Sequence, residues 1–368
     1  MTTLHEPGDA VAASDAPVAR VARTPRKIRR LTPDDWTSLV GALLASFALV
    51  TVIYEHLLNL SGVLGYLVCW YAAFVVVYAT VLRMANSRKV VIERLVTVTL
   101  YLAASIVVGA LLSTVVYTFA QGFHAYVHLN FFTHDMTGVS PTAPLSQGGI
   151  LHAIVGTVIE VAIAVIASVP LGIGTAVYLS EVGGRWSQSV RTVVEAMTAL
   201  PEILAGLFVY VVLIVYVGMP KTGLAVSLAM AVTMVPIIAR ASEVALRVVP
   251  NGLREASEAL GATHWRTVYK VVLPSARAGL ATATILAVAR GIGETAVPLI
   301  TSGASSFLNF NPVTNPMNSL PLYIYTSYTT HEPSAVTRAF GAASVLLAMV
   351  VVLFVVTRFL SRDKGAPR

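Results

Sequence analysis

Charged side chains are scarce in this sequence, since Asp, Glu, Lys and Arg together make up only 12% of the chain. A soluble globular domain averages about 25% charged residues, so this composition argues against a soluble protein. Hydrophobic residues make up 56% of the chain and occur in long runs. The composition therefore predicts a membrane protein.

Cysteine is almost absent as well. The single cysteine, Cys69, lies within a hydrophobic run, so the chain cannot form an intramolecular disulfide. Residues 1–35 are poor in bulky hydrophobic side chains and end in a basic stretch, which does not match a cleaved signal peptide. We expect this tail to be disordered, with its basic end at an anionic membrane surface.

Long hydrophobic runs define the predicted fold. A helix needs about 20 predominantly hydrophobic residues to cross the hydrocarbon core of a bilayer. Eight segments meet this requirement, which predicts an all-α polytopic membrane protein with eight transmembrane helices. The segments are residues 36–54, 62–82, 95–119, 150–179, 193–217, 223–246, 278–303 and 338–360.

The basic residues indicate how these helices are oriented, because Lys and Arg concentrate in cytoplasmic segments. When residues 1–35 are placed in the cytoplasm, alternation of the helices puts almost every basic residue on that side. Of the 25 Lys and Arg residues, only Lys221, Arg290 and Arg338 fall elsewhere. The net charge of +7 is thereby assigned to a cytoplasmic surface, and we expect no nucleic-acid partner.

Two of the predicted external segments are long. Residues 120–149 are rich in aromatic side chains, which is typical of a segment lying at the membrane interface. His124 and His128 are four residues apart and His134 and Asp135 are nearby, so a zinc site remains an alternative. Residues 304–337 are rich in Asn and Pro, which predicts a loop with a short re-entrant or interfacial piece.

Residues 250–275 lie between the predicted sixth and seventh helices and are called the coupling loop below. We expect two short helices separated at Gly261, because glycine adopts the left-handed conformation that ends a helix. Arg254 and Glu258 are spaced for an i,i+4 ion pair. Pro274 is expected to end the second short helix. From these features alone, the loop could simply rest on the membrane surface.

The spacing within this loop resembles a motif of bacterial ABC importer permeases: Glu-Ala-Ala, three residues, Gly, nine residues, Ile, one residue, Leu-Pro. The matching residues are Glu255, Ala256, Gly261, Leu273 and Pro274, with Ser257 in place of the second Ala and Val271 in place of Ile. The resemblance implies a six-helix permease core at residues 95–362. Two additional helices at residues 36–83 would precede this core, and a cytoplasmic tail at residues 363–368 would follow it.

In that family, the first helix of the loop inserts into a groove on an ATPase subunit. The resemblance therefore implies an ATPase-coupling role for Glu255, Ala256, Ser257, Gly261, Leu273 and Pro274. The chain contains no Gly-x-x-x-x-Gly-Lys-Ser/Thr motif, and none of its five lysines follows a glycine. We therefore expect no enzymatic activity and no cofactor on this chain, with ATP and Mg²⁺ bound by a partner ATPase.

One arginine lies inside a predicted transmembrane helix. Arg290 is about 18 Å along the seventh helix, and Glu294 follows four residues later. An arginine near the centre of a membrane helix costs roughly 2.5–3.5 kcal/mol on insertion scales, which makes it a functional candidate. The residues alone leave two readings open. The pair either stabilises the interior of the bundle, or Glu294 holds Arg290 as a cation on an anion path.

Two segments narrow the resemblance to permeases for phosphate-specific transport. Ala289-Arg290-Gly291-Ile292-Gly293-Glu294-Thr295-Ala296 resembles their Ala-Arg-x-x-Gly-Glu-Thr-Ala signature. The segment from Met317 to Tyr325 resembles the Met-x-Ser-Leu-Pro-x-x-Ile-Tyr segment of the PstA family. By this resemblance, Arg290 and Arg240 matter for phosphate passage. Arg240 could also be a helix-end residue whose charge extends to the interface.

Other carboxylates near the predicted helices carry no assigned role. Glu160 is expected to face the interior and to be satisfied by Thr157 or by another helix. Glu195 is expected at the cytoplasmic end of the fifth helix. Glu202 follows a proline at a position where the family more often has a small or hydroxyl residue.

The resemblances together imply one of two permease subunits of an inorganic phosphate importer in the bacterial plasma (inner) membrane, with both termini cytoplasmic. The implied partners are an ATP-binding subunit dimer, a second, PstC-like permease subunit, and a periplasmic or lipid-anchored phosphate-binding protein. Two alternatives stay open. The substrate could be another oxyanion such as molybdate, sulfate or phosphonate, or the chain could be an autonomous secondary transporter that uses Arg290 and Glu294 as an ion or proton relay.

Overall fold

The computed structural model describes residues 33–57 and 61–360, without the side chains of residues 33–35, 85, 357, 358 and 360. The predictions for residues 1–32 and 361–368 lie outside the described residues. The described part of the chain is helical, apart from loops and an isolated bridge between Gly303 and Met317. It divides into two compact units, Met1–Val108 and Gly109–Arg368, which we describe separately.

The first unit contains two complete helices and the beginning of a third. Helix α1 (Pro33–Thr51) continues through a π-helical segment (Val52–Leu57), and helix α2 (Val63–Ala85) is followed by the first part of α3 (Arg88–Tyr126). A small core joins these helices, formed by Ala42, Phe74, Tyr78, Leu82 and Val91. Most other hydrophobic side chains of α1 and α2 point outward, as expected for helices surrounded by lipid or by other membrane subunits.

The second unit contains the rest of α3 and eleven further helices in the described residues. In chain order these are α4 (Asn130–Thr133), α5 (Leu151–Val177), α6 (Ser187–Ala199), α7 (Glu202–Val209), α8 (Gly223–Arg247), α9 (Asn251–Ala259), α10 (His264–Thr267), α11 (Leu273–Ile292), α12 (Ala296–Thr301), α13 (Leu320–Tyr328) and α14 (Pro333–Leu360). Short π-helical segments extend α5 to Val182 and α7 to Tyr216, and a third (Val268–Val272) joins α10 to α11.

Helix α8 lies at the centre of the second unit and packs most closely against α5. The approach of these two helices depends on Gly172, because an added Cβ there would lie 2.6 Å from the Cβ of Ile238. Helix α11 packs on another side of α8, where an added Cβ at Gly279 would lie 2.5 Å from the Cβ of Ala245. Small residues at such crossings allow membrane helices to approach closely. These two glycines therefore allow α5 and α11 to lie close against α8.

The predicted all-α membrane fold is confirmed. The described residues contain seven helices long and apolar enough to cross a membrane, or eight if the bent pair α6–α7 counts as one span. The predicted span at residues 193–217 is broken rather than continuous, since α6 and α7 meet at an angle of 106°. The bend has a local cause: Leu200 is extended (φ −69°, ψ 131°) because it precedes Pro201.

The predicted boundaries of the seventh helix also need correction. The chain is continuously helical from His264 to Ile292 and then turns, so the predicted helix end at residue 303 is wrong. Pro274 does not end the second helix of the coupling loop, which runs directly into α11. The wider π-helical turn just before this proline accommodates the missing N–H donor.

Candidate functional site

The first helix of the coupling loop, α9, ends as predicted. Gly261 has a φ of +81°, the left-handed conformation that glycine adopts without strain. The backbone N–H of Gly261 donates to the carbonyl of Glu258 at 2.9 Å, and the N–H of Ala262 donates to that of Ser257 at 3.2 Å. No atom lies within 4 Å of the position of an added Cβ at Gly261, so its constraint is conformational rather than steric.

Arg254 anchors α9 to the end of α5. Its guanidinium donates to both carboxylate oxygens of Glu181, from Nη2 at 2.8 Å and from Nε at 3.1 Å. It also donates to the backbone carbonyls of Val249 at 2.7 Å and Leu246 at 3.1 Å. Glu181 is nearly inaccessible to solvent, which strengthens this bidentate pair relative to an exposed one. The coupling loop is thereby tied to one of the longest helices of the unit.

The predicted ion pair between Arg254 and Glu258 is therefore wrong. Glu258 lies instead beside His264, with 3.5 Å between Oε1 and Nδ1. An exposed i,i+4 pair on a helix stabilises by only about 0.2–0.5 kcal/mol, too little to compete with a bidentate, partly buried pair that also satisfies backbone carbonyls.

The remaining coupling-loop residues form an exposed surface and its support. Glu255 and Ala256 are exposed, whereas Ser257 is half-buried and its hydroxyl lies 2.9 Å from that of Thr267, which joins α9 to α10. Leu273 and Pro274 begin α11. The outer surface carries several large exposed hydrophobic side chains, namely Leu253, Leu260, Trp265 and Tyr269. An exposed apolar surface next to Glu255 is typical of a docking site for another protein.

Arg290 lies in the last turn of α11, and its Nη2 forms an ion pair with Oε1 of Glu202 at the start of α7. The predicted pair with Glu294 is wrong, because α11 ends at Ile292 and Glu294 is no longer one helical turn away. The Glu294 side chain is buried, and its Oε1 accepts a hydrogen bond from the N–H of Ala296 at 3.1 Å. Glu294 therefore fixes the start of α12.

The Arg290–Glu202 pair borders a cavity of about 100 Å³ between the α6–α7 bend, α8 and α11. Other walls of this cavity come from Met197, Thr198, Leu200, Thr233, Pro236 and Ile237. The side chain of Arg290 is 58% exposed, so part of its guanidinium remains available for a ligand. The structure thus places this arginine at an accessible cavity rather than in a closed internal pair.

Arg240 does not line this cavity. Its Nη2 donates to Oε1 of Glu195 on α6 at 2.8 Å, and the two side chains are 41% and 49% exposed. Pairs this exposed are screened by water and contribute little. The structure brings Arg290 together with the α6–α7 bend and brings Arg240 to a separate ion pair on α8.

Glu160 differs from the prediction as well. It is buried in α5, but within the part of the chain that the structure describes neither carboxylate oxygen has a hydrogen-bond partner. The expected partner, Thr157, donates to the carbonyl of Ala153 at 2.8 Å and accepts from the N–H of Leu320 at 2.7 Å. The hydroxyl proton of Thr157 is therefore already donated to a backbone carbonyl and is not available to Glu160.

Asp135, considered above for a zinc site, holds two loops together. Its carboxylate accepts backbone N–H bonds from Thr137 at 3.1 Å and Leu308 at 2.9 Å. Partial burial raises the pKa of this carboxyl, but the hydrogen bonds outweigh burial and hold the pKa below its usual 3.8. Among the residues that the structure describes, no group of three or more His, Cys, Asp or Glu side chains could hold a metal ion.

Two acidic residues of the site were missed as ion-pair partners. Glu181 gave no local signal, because it is a lone carboxylate at the end of a predicted helix. Glu202 did give one, since a carboxylate stands there where the resembled family more often has a small or hydroxyl residue. Its pairing with Arg290 across 88 residues of sequence depends on how α7 meets α11.

Comparison with known proteins agrees with this architecture. The family described as "binding-protein-dependent transport system inner membrane component" matches residues 168–364, which include the coupling loop and Arg290. The phosphate transport system permease protein PstA of Mycobacterium leprae is 38% identical over 278 residues, covering 74% of this chain and 90% of that protein. The phosphate transport system permease protein PstA 1 of Mycobacterium tuberculosis strain H37Rv is 39% identical over 235 residues, covering 64% of this chain and 76% of that protein.

One solved structure supports the fold. A chain of a bacterial alginate ABC transporter, crystallised in complex with a periplasmic protein holding an alginate pentasaccharide, matches with a TM-score of 0.51 at 15% identity. The match covers 74% of this chain and 97% of that one. The family matches more than half of this sequence, and the match to the M. leprae protein covers 90% of that protein. The chain therefore belongs to the binding-protein-dependent transport system inner membrane component family.

Proposed function

We propose that this chain is a permease subunit of an ATP-driven importer of inorganic phosphate in the bacterial plasma membrane, with both termini cytoplasmic. The observation that carries the proposal is the 38% identity to a PstA protein over 74% of the chain. The matched family segment contains both the coupling loop and Arg290, which gives the proposed function a structural basis.

The coupling loop is proposed to dock a partner ATPase. Its exposed surface offers Glu255, Ala256, Leu260 and Trp265 to a groove on that subunit. Movement of α9 would reach α5 through the Arg254–Glu181 pair. It would reach α11 through the contact of Ser257 with Thr267 and through the continuous helix from His264 to Ile292. One loop on the permease can therefore move two helices together.

The partners of this chain follow from the same argument. We propose that ATP and Mg²⁺ are bound by a dimer of partner ATP-binding subunits. Because two ATPases need two docking loops and this chain has one, we propose a second, PstC-like permease beside it. A phosphate-binding protein, periplasmic or lipid-anchored, would deliver the substrate.

Arg290 is proposed to attract the anion on its path. Its exposed guanidinium has donors left after pairing with Glu202, and charge-assisted hydrogen bonds from arginine suit phosphate oxygens. Glu294 supports this site by fixing the start of α12 after α11 ends. Arg240, paired with Glu195 outside the cavity, is proposed as a secondary positive charge on the same path.

Reconstitution tests the proposal. The chain, a second permease, the ATPase and a phosphate-binding protein would be placed in liposomes, and uptake of labelled inorganic phosphate measured with and without ATP. We expect uptake only with ATP and all partners, competed by unlabelled phosphate but not by sulfate, molybdate or phosphonate. Competition by one of those anions instead would change the substrate, and phosphate flux through this chain alone would make it an autonomous transporter.

A further inference from the structure

A second and larger cavity, of about 660 Å³, lies at the opposite end of the second unit from the coupling loop. Helix α5 shows the separation: Glu181 at one end binds the coupling loop, and His152 at the other end lines this cavity. At 1.5 Å per residue the two lie roughly 40 Å apart. The cavity shares no lining residue with the one beside Arg290. In the orientation proposed above, it opens on the external side.

Arg338 is the charged residue of this cavity, and it has no carboxylate partner in the described part of the chain. The residue is only 1% exposed. One of its nitrogens, Nη2, donates to the backbone carbonyls of Ala143, Pro144 and Gln147 at 2.7–3.1 Å. Its Nε and Nη1 are buried and have no hydrogen-bond partner. A buried cation without a counter-charge is costly, so a bound anion would relieve a cost already present.

His152 lines the same cavity. It is buried, its ring packs edge-on against Tyr323 with 5.4 Å between centroids, and neither ring nitrogen has a hydrogen-bond partner. The neighbouring carboxylate of Asp135 is occupied by the backbone N–H groups of Thr137 and Leu308. Hydroxyl side chains complete the lining, namely Ser140, Ser305, Ser306, Thr326, Ser327 and Thr330.

A buried cation and an imidazole, both with unpartnered nitrogens, lie at one concave space, and such donors recognise an oxyanion. The alternative occupant, an acidic side chain of another protein, would satisfy Arg338 equally well. The lining favours a free ion, because it surrounds the space from α5, α13, α14 and two loops, and a tetrahedral oxyanion accepts hydrogen bonds in several directions whereas a carboxylate accepts them in one plane.

We propose that this cavity is an external receiving site for inorganic phosphate, in which Arg338 supplies the positive charge and His152 a hydrogen-bond donor. The proposal rests on the proposed import function and adds a step to it. Phosphate released by the binding protein binds here first, and it passes to Arg290 when the helices rearrange. The site lies on this permease itself, so it binds phosphate without the binding protein.

The test uses the assembled complex without the binding protein and without ATP, in an Arg290→Gln background that removes the other proposed anion site. Equilibrium binding of labelled inorganic phosphate is expected to persist in this background. Adding His152→Phe is expected to weaken binding at least tenfold. This substitution keeps the ring packed on Tyr323 and removes only two nitrogens that have no partner within the chain, so the fold should tolerate it. Arg338→Gln is expected to abolish binding.

Lys221→Gln is the matched control, because Lys221 is the other basic residue assigned to the external side and lies outside the cavity. The affinity of the Lys221→Gln complex for phosphate should be unchanged. Unchanged binding in assembled His152→Phe and Arg338→Gln complexes would overturn the proposal, and so would an absence of binding before either change. In a separate assay with the binding protein added, weakened docking in these variants with intact phosphate binding would assign the cavity to an acidic side chain and also overturn the proposal.

Uptake by the unmutated complex separates this proposal from the proposed function. If that complex imports phosphate and His152→Phe leaves the KM for uptake unchanged, the receiving site is wrong and the import function stands. If the unmutated complex imports another oxyanion and not phosphate, the import function is wrong and the receiving site for phosphate falls with it. If His152→Phe raises the KM for phosphate uptake and leaves the maximal rate unchanged, the result supports both the import function and the receiving site.

Discussion

The two ends of the second unit treat buried charge in opposite ways. At the coupling-loop end, the buried carboxylates are paired: Glu181 with Arg254, and Glu243 with both Arg191 and Arg247. At the other end, Arg338 and His152 are buried with polar nitrogens that have no partner among the described residues. Helix α5 reaches both ends, with Glu181 at one and His152 at the other.

The difference matches the two roles proposed for these ends, namely movement at the coupling-loop end and ligand binding at the other. Paired charges fix the geometry between helices, which suits an end that, under the proposed function, transmits a movement of α9 to α5 and α11. Unpaired buried donors are costly in the empty protein, which suits an end that a ligand completes. The cavity beside Arg290 lies between these two cases, because its arginine is paired with Glu202 but remains partly exposed.

The largest effect is expected for Arg290→Gln, which removes the charge from that intermediate site. We expect the complex to assemble and its ATPase to remain docked, while phosphate uptake falls at least a hundredfold because the anion path loses its cation. Co-purification and uptake in reconstituted liposomes measure the two properties. Uptake within threefold of the unmutated complex would make the Arg290–Glu202 pair structural only.

The next effect tests whether the coupling-loop end transmits force. Gly261→Val forces a β-branched residue into a positive φ, a strain of about 1–3 kcal/mol that α9 can release only by changing its angle. We expect insertion to be retained and uptake per ATP hydrolysed to fall at least tenfold. Gly252→Ala is the control, because it lies in the same helix with open space around it and an ordinary φ. Equal coupling in both variants would contradict the docking assignment.

The Arg254–Glu181 pair provides a smaller and more local test. Removing one partner leaves the other buried without a counter-charge, so Arg254→Gln or Glu181→Gln should destabilise the complex by about 3 kcal/mol. The double variant should lose less than the sum of the two single variants, because the pair acts as a unit. Thermal unfolding of the four complexes measures this interaction. Strictly additive losses would mean that α9 is held to α5 by other contacts.

How much of this structure the sequence predicts depends on the range of the interaction. The number of membrane helices and the left-handed Gly261 were predictable, because hydrophobic length and backbone conformation are local properties. The ion pairs of Arg254 and Arg290 were predicted wrongly, because each partner lies more than 70 residues away. Local spacing could suggest only i,i+4 partners, and in the case of Glu294 the helix had already ended.

The position of Arg338 in the sequence was unusual, but none of the predictions made use of it. It was one of only two basic residues assigned to the external side, and a charge in a position that topology disfavours needs a reason. Its burial and its free nitrogens could not be read from the sequence, because they depend on the loop of residues 143–147 closing over α14.

The pH dependence of the contacts of Asp135 tests the end of the second unit opposite the coupling loop. Because its pKa is lowered in the folded protein, the charged carboxylate contributes stability above its usual pKa of about 3.8, and this contribution is lost as pH falls through the lowered value. Below that pH, the amides of Thr137 and Leu308 should exchange hydrogen faster relative to neighbouring amides. Asp135→Asn should raise their exchange at pH 6 several-fold, and equal exchange in both proteins would remove Asp135 as the link between the two loops.

The smallest effect is expected for Arg240→Gln, which breaks an ion pair as close as that of Arg254 but far more exposed. With both partners about half exposed, the pair should contribute no more than about 1 kcal/mol to stability. Uptake should fall only severalfold, because the arginine lies outside the cavity beside Arg290 and adds a distant positive charge to the path. Glu195→Gln is the matched control, since it breaks the same pair and leaves the arginine charged. A loss of uptake in Arg240→Gln as large as that in Arg290→Gln, with Glu195→Gln unaffected, would put both arginines in direct contact with the anion.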